Sequence, residues 1–169
     1  MANTIIARHA INDDFINETS TVAKYNMGVE VEVADTQTGF TTTYRYIKAS
    51  AALTAYQPYV LVEKAEEVGT ASPATDTTVG KIIGIPQTAI ASGSYGFVAV
   101  KGACKAKTGI QAKGDTLEVI NAGTTLIVDG SSGSPAETVG TVAISAETAA
   151  AAATVKVILL GKRVQVAAS

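Results

Sequence analysis

The sequence predicts an all-β protein: a compact β-barrel or sandwich of short, mainly antiparallel strands with an extended N-terminal arm and at most one short helix. Three observations predict it. Apolar and polar residues alternate with period two in several stretches. Clusters of Gly, Asn, Asp, Ser and Pro interrupt those stretches at intervals of about ten residues. No segment sustains the spacing of an amphipathic helix.

Residues 1–26 read as an arm and 27–169 as the barrel or sandwich domain. In the arm, Ile5, Ile6, Ile11, Phe15, Ile16 and Tyr25 are scattered among Asn, Asp, Thr and Ser. Such a stretch buries too little apolar area to order by itself. It either orders on a partner, with Ile5, Ile6, Ile11, Phe15 and Ile16 as anchors, or packs on its own domain as a strand or short helix.

From Gly28 the period-two signal begins. Val29, Val31 and Val33 alternate with Glu30, Glu32 and Ala34, and Asp35 to Gly39 forms a turn before a second strand, Phe40 to Ile47. Pro58 introduces a strand at Val60 to Val62. Residues 65–78 read as a polar loop, and Val79 to Ile85 as a strand closed by Pro86, proline being suited to a strand end. Tyr95 to Val100 is a strand that Gly102 breaks. Thr116 to Ile120 and Thr124 to Val128 form a tight hairpin, and Asp129 to Pro135 is a low-complexity loop. Val139 to Ile144 and Thr154 to Leu160 complete the set. Between them Ser145 to Ala153 reads as a short helix or a turn, since its alanines favour helix but it is too short to stand alone.

One internal echo stands out. Val79-Gly80-Lys81-Ile82, a small-residue connection and the strand Tyr95 to Val100 resemble Val139-Gly140-Thr141-Val142, a connection and the strand Thr154 to Leu160. Any β-protein rich in Val and Gly produces such echoes, and we expect no more than that.

Composition narrows the function. Hydrophobic residues make up 47%, yet there are three Phe and no Trp, so a core of small side chains is expected to draw part of its stability from association. With 13 basic and 15 acidic residues the net charge is −2, which argues against a nucleic-acid partner. Lys101, Lys105, Lys107 and Lys113, then Lys162 and Arg163, read as solvated strand and turn positions. The N-terminus does not read as a signal peptide, and Val157 to Leu160 is far too short to cross a bilayer, so synthesis in the cytoplasm and no membrane association are expected.

Candidate chemistry is sparse. Cys104 is the only cysteine and His9 the only histidine, so neither a disulfide nor a thiolate zinc site can form within the chain. Gly93-Ser94-Tyr95-Gly96 superficially resembles a nucleophile turn but lacks the flanking pattern. Glu30 and Glu32 share one face of a strand and read as its wet side. No enzyme, no metal and no cofactor are expected.

The run from Val79 to Gly102, VGKIIGIPQTAIASGSYGFVAVKG, resembles the middle of small tailed-phage capsid decoration, or cement, proteins. The pattern is a V-G strand, an A-x-A connection and then G-x-Y-G-F-V-x-V-x-G. Gly114-Asp115 to Val119, Val139 to Val142 and Val155 to Leu159 extend the resemblance over residues 50 to 161. It implies a homotrimeric β-rich protein on the capsid exterior of the virion, bound to the major capsid protein at subunit junctions and stabilising the expanded head. Tyr95 and Phe97 are candidates for subunit contact, although an ordinary core role suits Phe97 better. Two rivals remain from other classes. One is a fibre-base or adhesion-type binding module using loops at Ser72 to Thr78 and Gly130 to Pro135. The other is a trimeric dUTPase-like nucleotide hydrolase, against which the C-terminal Val164-Gln165-Val166-Ala167-Ala168-Ser169 lacks a Gly/Ser-rich phosphate arm.

Overall fold

A computed structural model describes residues 13–34, 40–63, 68–71, 82–119, 124–128 and 142–161. Among these residues a 3-10 turn, Asp13–Asn17, precedes ten strands. They are β1 Glu30–Ala34, β2 Thr41–Lys48, β3 Tyr59–Glu63, β4 Val68–Ala71, β5 Ile82–Pro86, β6 Tyr95–Thr108, β7 Thr116–Val119, β8 Leu126–Val128, β9 Ala143–Ser145 and β10 Ala153–Leu159. The all-β class is as the sequence predicts.

The strands close into two five-membered rings that share β6. In the first, β2, β4, β3, β5 and the N-terminal half of β6 are joined in that order, and β6 returns to β2. In the second, the C-terminal half of β6 is followed by β10, β9, β7 and β8, and β8 returns to β6. Each ring closes through one parallel bridge, Lys48 opposite Gly69 in the first and Thr108 opposite Leu126 in the second. All other pairings are antiparallel.

Corresponding strands of the rings occur in the same order with the same partners, so the internal echo is a structural repeat. Arg45 opposite Val98 in the first ring matches Cys104 opposite Val157 in the second, an offset of 59 residues (45 to 104, 98 to 157). Small bridges recur as well. Leu53 and Ile90 exchange backbone hydrogen bonds of 2.8 and 3.0 Å, and Gln111 and Ala149 exchange bonds of 3.0 and 2.9 Å. Tyr56 N–H donates to the Pro86 carbonyl at 2.8 Å, as Gly114 N–H does to Ser145 at 2.9 Å; both donors have positive φ, 66° and 94°. The expectation that valine and glycine alone explain the echo is corrected: the two halves share a backbone plan whose side chains have diverged.

The first ring is filled by Ile47, Ala49, Leu53, Leu61, Ile90, Val98 and Val100, all buried. Small strand residues here permit close approach: a Cβ on Gly84 would lie 2.9 Å from both Leu61 Cδ2 and Val98 Cγ2. The second ring buries Ala106, Leu117, Val119, Leu126, Ala143, Val157 and Leu159. Burial of each large aliphatic side chain contributes about 1.5–3 kcal/mol.

Two local expectations change, and one left open between helix and turn is decided. Gly102 does not break the strand at Val100; β6 runs through it to Thr108. Its φ of +88° bends the chain from one ring into the other, and a Cβ there would stand 2.1 Å from the Thr41 carbonyl oxygen. Within the expected loop 65–78, Val68–Ala71 is a strand, recruited because β3 and the end of β2 both offer it backbone partners. Ser145 to Ala153 contains no helix. Its polar groups are engaged elsewhere: Ser145 Oγ donates to the Glu147 carbonyl at 2.6 Å, a Glu147 carboxylate oxygen accepts from Lys156 N–H at 3.0 Å, and Ala149 bridges to Gln111.

Candidate interaction surface

The outer face of the first barrel is built by alternation along β2 and β6. On β2, Ile47 enters the barrel interior while Tyr44 and Tyr46 turn to the other side, where they join a second core cluster with Phe97 and Ala99. Register places Tyr46 directly opposite Phe97, with ring centroids 5.0 Å apart. Left bare, this aromatic pair would expose a large apolar patch.

The chain's own N-terminal segment covers it. Ile16 is buried, and the Phe15 ring stands edge-on to Phe97, 5.3 Å away at 82°. Ser20 and Tyr95 exchange backbone bonds of 3.1 and 2.7 Å, so the segment is added to the sheet at that point. Tyr25 packs edge-on to Tyr46 at 5.2 Å, and Lys24 N–H donates to the Tyr46 hydroxyl at 3.0 Å. The Lys24 ammonium pairs with Glu18, and this hydrogen bond raises its pKa. On the flanking strand β1, Glu30 accepts from Arg45 Nη2 at 2.6 Å and Nε at 2.9 Å, while Glu32 is exposed.

Phe15 and Ile16 therefore already pack within this chain, and Ile5, Ile6 and Ile11 lie outside the described residues. Tyr95 is half-buried beneath the strap, stacked on Tyr46 with Lys48 Nζ 5.6 Å from its ring centroid; Phe97 is core. Sequence reading did not single out Tyr46 or Tyr25 as members of this cluster. Tyr46 shows in sequence only through its period-two alternation with Tyr44, and Tyr25, which precedes β1, carries no local signal.

The same face of the second barrel has different chemistry. Its counterpart of the Tyr46–Phe97 pair is Lys105 opposite Lys156. Lys107 lies one outward position further along β6, and Ala103, Ile158 and Ile144 form the adjacent row across three strands. Lys105 is exposed and Lys156 half-buried, with its Nζ 5.9 Å from the ring centroid of Phe40, which is 49% exposed. No ion pair joins either lysine to a described carboxylate.

Other candidates resolve plainly. Ser94 of the serine turn is buried, its carbonyl accepting from Ala49 N–H at 2.8 Å. His9, the Ser72–Thr78 loop and the Gly130–Pro135 loop lie outside the described residues. Cys104 is buried in the second barrel, and burial pushes its thiol up to about 12. Among the described residues no three His, Cys, Asp or Glu side chains are grouped to hold a metal ion, and no helix is long and apolar enough to cross a membrane.

No protein-family model matches the chain, and no curated protein sequence matches it. Among solved structures it is similar to the head fiber gp8.5 N base of bacteriophage phi29, at 15% identity and a TM-score of 0.48, covering 73% of this chain and 98% of that one.

Proposed function

We propose that the chain is a structural decoration protein of a tailed-phage head, binding the major capsid protein at subunit junctions on the capsid exterior and stabilising the expanded head as a homotrimer. One observation carries this reading. The run that bears the sequence resemblance, Val79 to Gly102, contributes β5 and the half of β6 that leads into the bend at Gly102, which is the seam of both barrels. The wider resemblance, residues 50 to 161, spans most of both rings.

The physical logic fits a reinforcing role. The first barrel's interior is filled with aliphatic side chains and its aromatic face is covered by residues 15–25, so the contact surfaces of this reading are the remaining outer faces and the arm residues before Phe15. Several weak contacts made together at one junction gain through effective concentration, and closed threefold symmetry limits growth.

Light scattering on the full chain and on a variant beginning at residue 13 tests the reading. The cut spares Phe15, Ile16 and Tyr25, which pack on the barrel. Both proteins are expected to be trimers, and only the full chain is expected to co-sediment with expanded phage heads stripped of their own decoration protein. A monomeric full chain overturns the proposal, as does a trimer that leaves such heads undecorated.

A further inference from the structure

We propose that the Lys105–Lys107–Lys156 face of the second barrel is a docking surface for an acidic peptide segment of a partner protein. The two barrels share a repeated backbone with unlike side chains. At one place in the repeat, register sets Tyr46 against Phe97; at the equivalent place it sets Lys105 against Lys156. The first face is covered by a segment of the same chain, residues 15–25.

Like charges directly opposite one another on adjacent antiparallel strands destabilise a sheet. Here two ammonium groups are set opposite, with Lys107 diagonal to Lys156, and no described carboxylate pairs with Lys105 or Lys156. The acidic side chain of the β9–β10 connection, Glu147, accepts from the Lys156 backbone N–H. A fold does not gain stability from this arrangement, but an anionic ligand does gain affinity from it.

The chemistry of the face selects the kind of anion. Beside the lysine row run Ala103, Ile158 and Ile144, with Phe40 at the edge against Lys156. Carboxylates flanking apolar side chains match a lysine row flanking an apolar row. A nucleic acid would need more cations than three and would meet a chain of net charge −2. The equivalent face already accommodates a polypeptide, which fits the shape of a strap-like segment. This inference rests on the face itself and not on the capsid reading, so a monomeric chain leaves it standing.

The test uses the full chain and fluorescence anisotropy, with a labelled oligoglutamate peptide interspersed with leucine as probe and a labelled oligothymidine for comparison. The native chain is expected to bind the peptide at low salt, with affinity falling as salt rises. K105E/K156E should weaken binding by about tenfold or more, while K113E, in the turn before β7, should leave it unchanged. K105E alone separates binding from folding: it creates an opposite-charge pair across the strands, so Tm should rise by about 2 °C while affinity falls. Absence of peptide binding by the native chain overturns the proposal, as does equal binding by K105E/K156E. Tighter binding of oligothymidine with the same lysine dependence overturns it in favour of a nucleic-acid ligand.

Discussion

Leu53 and Gln111 occupy the same position in two successive barrels, each bridged by paired backbone bonds to the residue across from it, Ile90 for Leu53 and Ala149 for Gln111. Leu53 is part of an all-aliphatic interior. Gln111 is equally buried, at 4% exposure, and among the described residues neither of its side-chain polar atoms has a hydrogen-bond partner. An unsatisfied buried amide costs about 1–3 kcal/mol. Q111L, which installs the residue of the first barrel, is expected to stabilise the protein by about 1 kcal/mol in urea denaturation. A loss of stability would show that the amide is held by an interaction of real value.

The strap over the first barrel depends on Phe15 against Phe97. F97A is expected to cost about 3–5 kcal/mol, as for a buried aromatic, and F15A less, because Phe15 is only half-buried. Their edge-to-face contact should appear as a coupling of about 0.5–1.5 kcal/mol in a double-mutant cycle. Additive losses would place Phe15 off the barrel in solution.

Gly102 and Gly114 both have positive φ, but only one is crowded. A Cβ at Gly102 meets the Thr41 carbonyl oxygen at 2.1 Å, whereas one at Gly114 meets nothing within 4 Å. G114A should cost about 1–2 kcal/mol from backbone strain alone. G102A should cost at least about 3 kcal/mol, since β2 or β6 must also move. Equal midpoints for the two variants in chemical denaturation would contradict the bend between the barrels.

Cys104 links stability to alkaline pH. Its thiol is raised from 9.0 to about 12 by burial, so the folded state holds the proton more tightly than the unfolded chain. Its contribution is fully present below pH about 9 and is lost as pH rises from about 9 to about 12. C104A should flatten that part of the stability profile. The native thiol should also resist alkylation at neutral pH and react on unfolding; rapid reaction in the folded protein would contradict its burial.

Much of the fold was legible in the sequence because its signals are local. Alternation at Val29 to Val33 and a turn at Asp35 to Gly39 correctly implied β1 pairing with β2, and the closely spaced stretches Thr116 to Ile120 and Thr124 to Val128 implied the β7–β8 hairpin. Pro58 marked the entry to β3. The lysines were visible as a spaced cluster on β6, but Lys156 is far away in sequence, and only pairing with β10 sets it against Lys105.

By itself the sequence determined the strand class and several hairpins, because side-chain alternation and turn chemistry act between near neighbours; the repeat showed there only as an echo that composition could explain, and pairing revealed it. Tertiary structure decided the rest. Ring closure rests on single bridges between distant residues, Lys48 with Gly69 and Thr108 with Leu126. A glycine that reads locally as a break becomes a bend once both halves of β6 find partners. The two outer faces acquired opposite fates for the same reason: pairing, not sequence proximity, chose aromatic against aromatic in one barrel and lysine against lysine in the other.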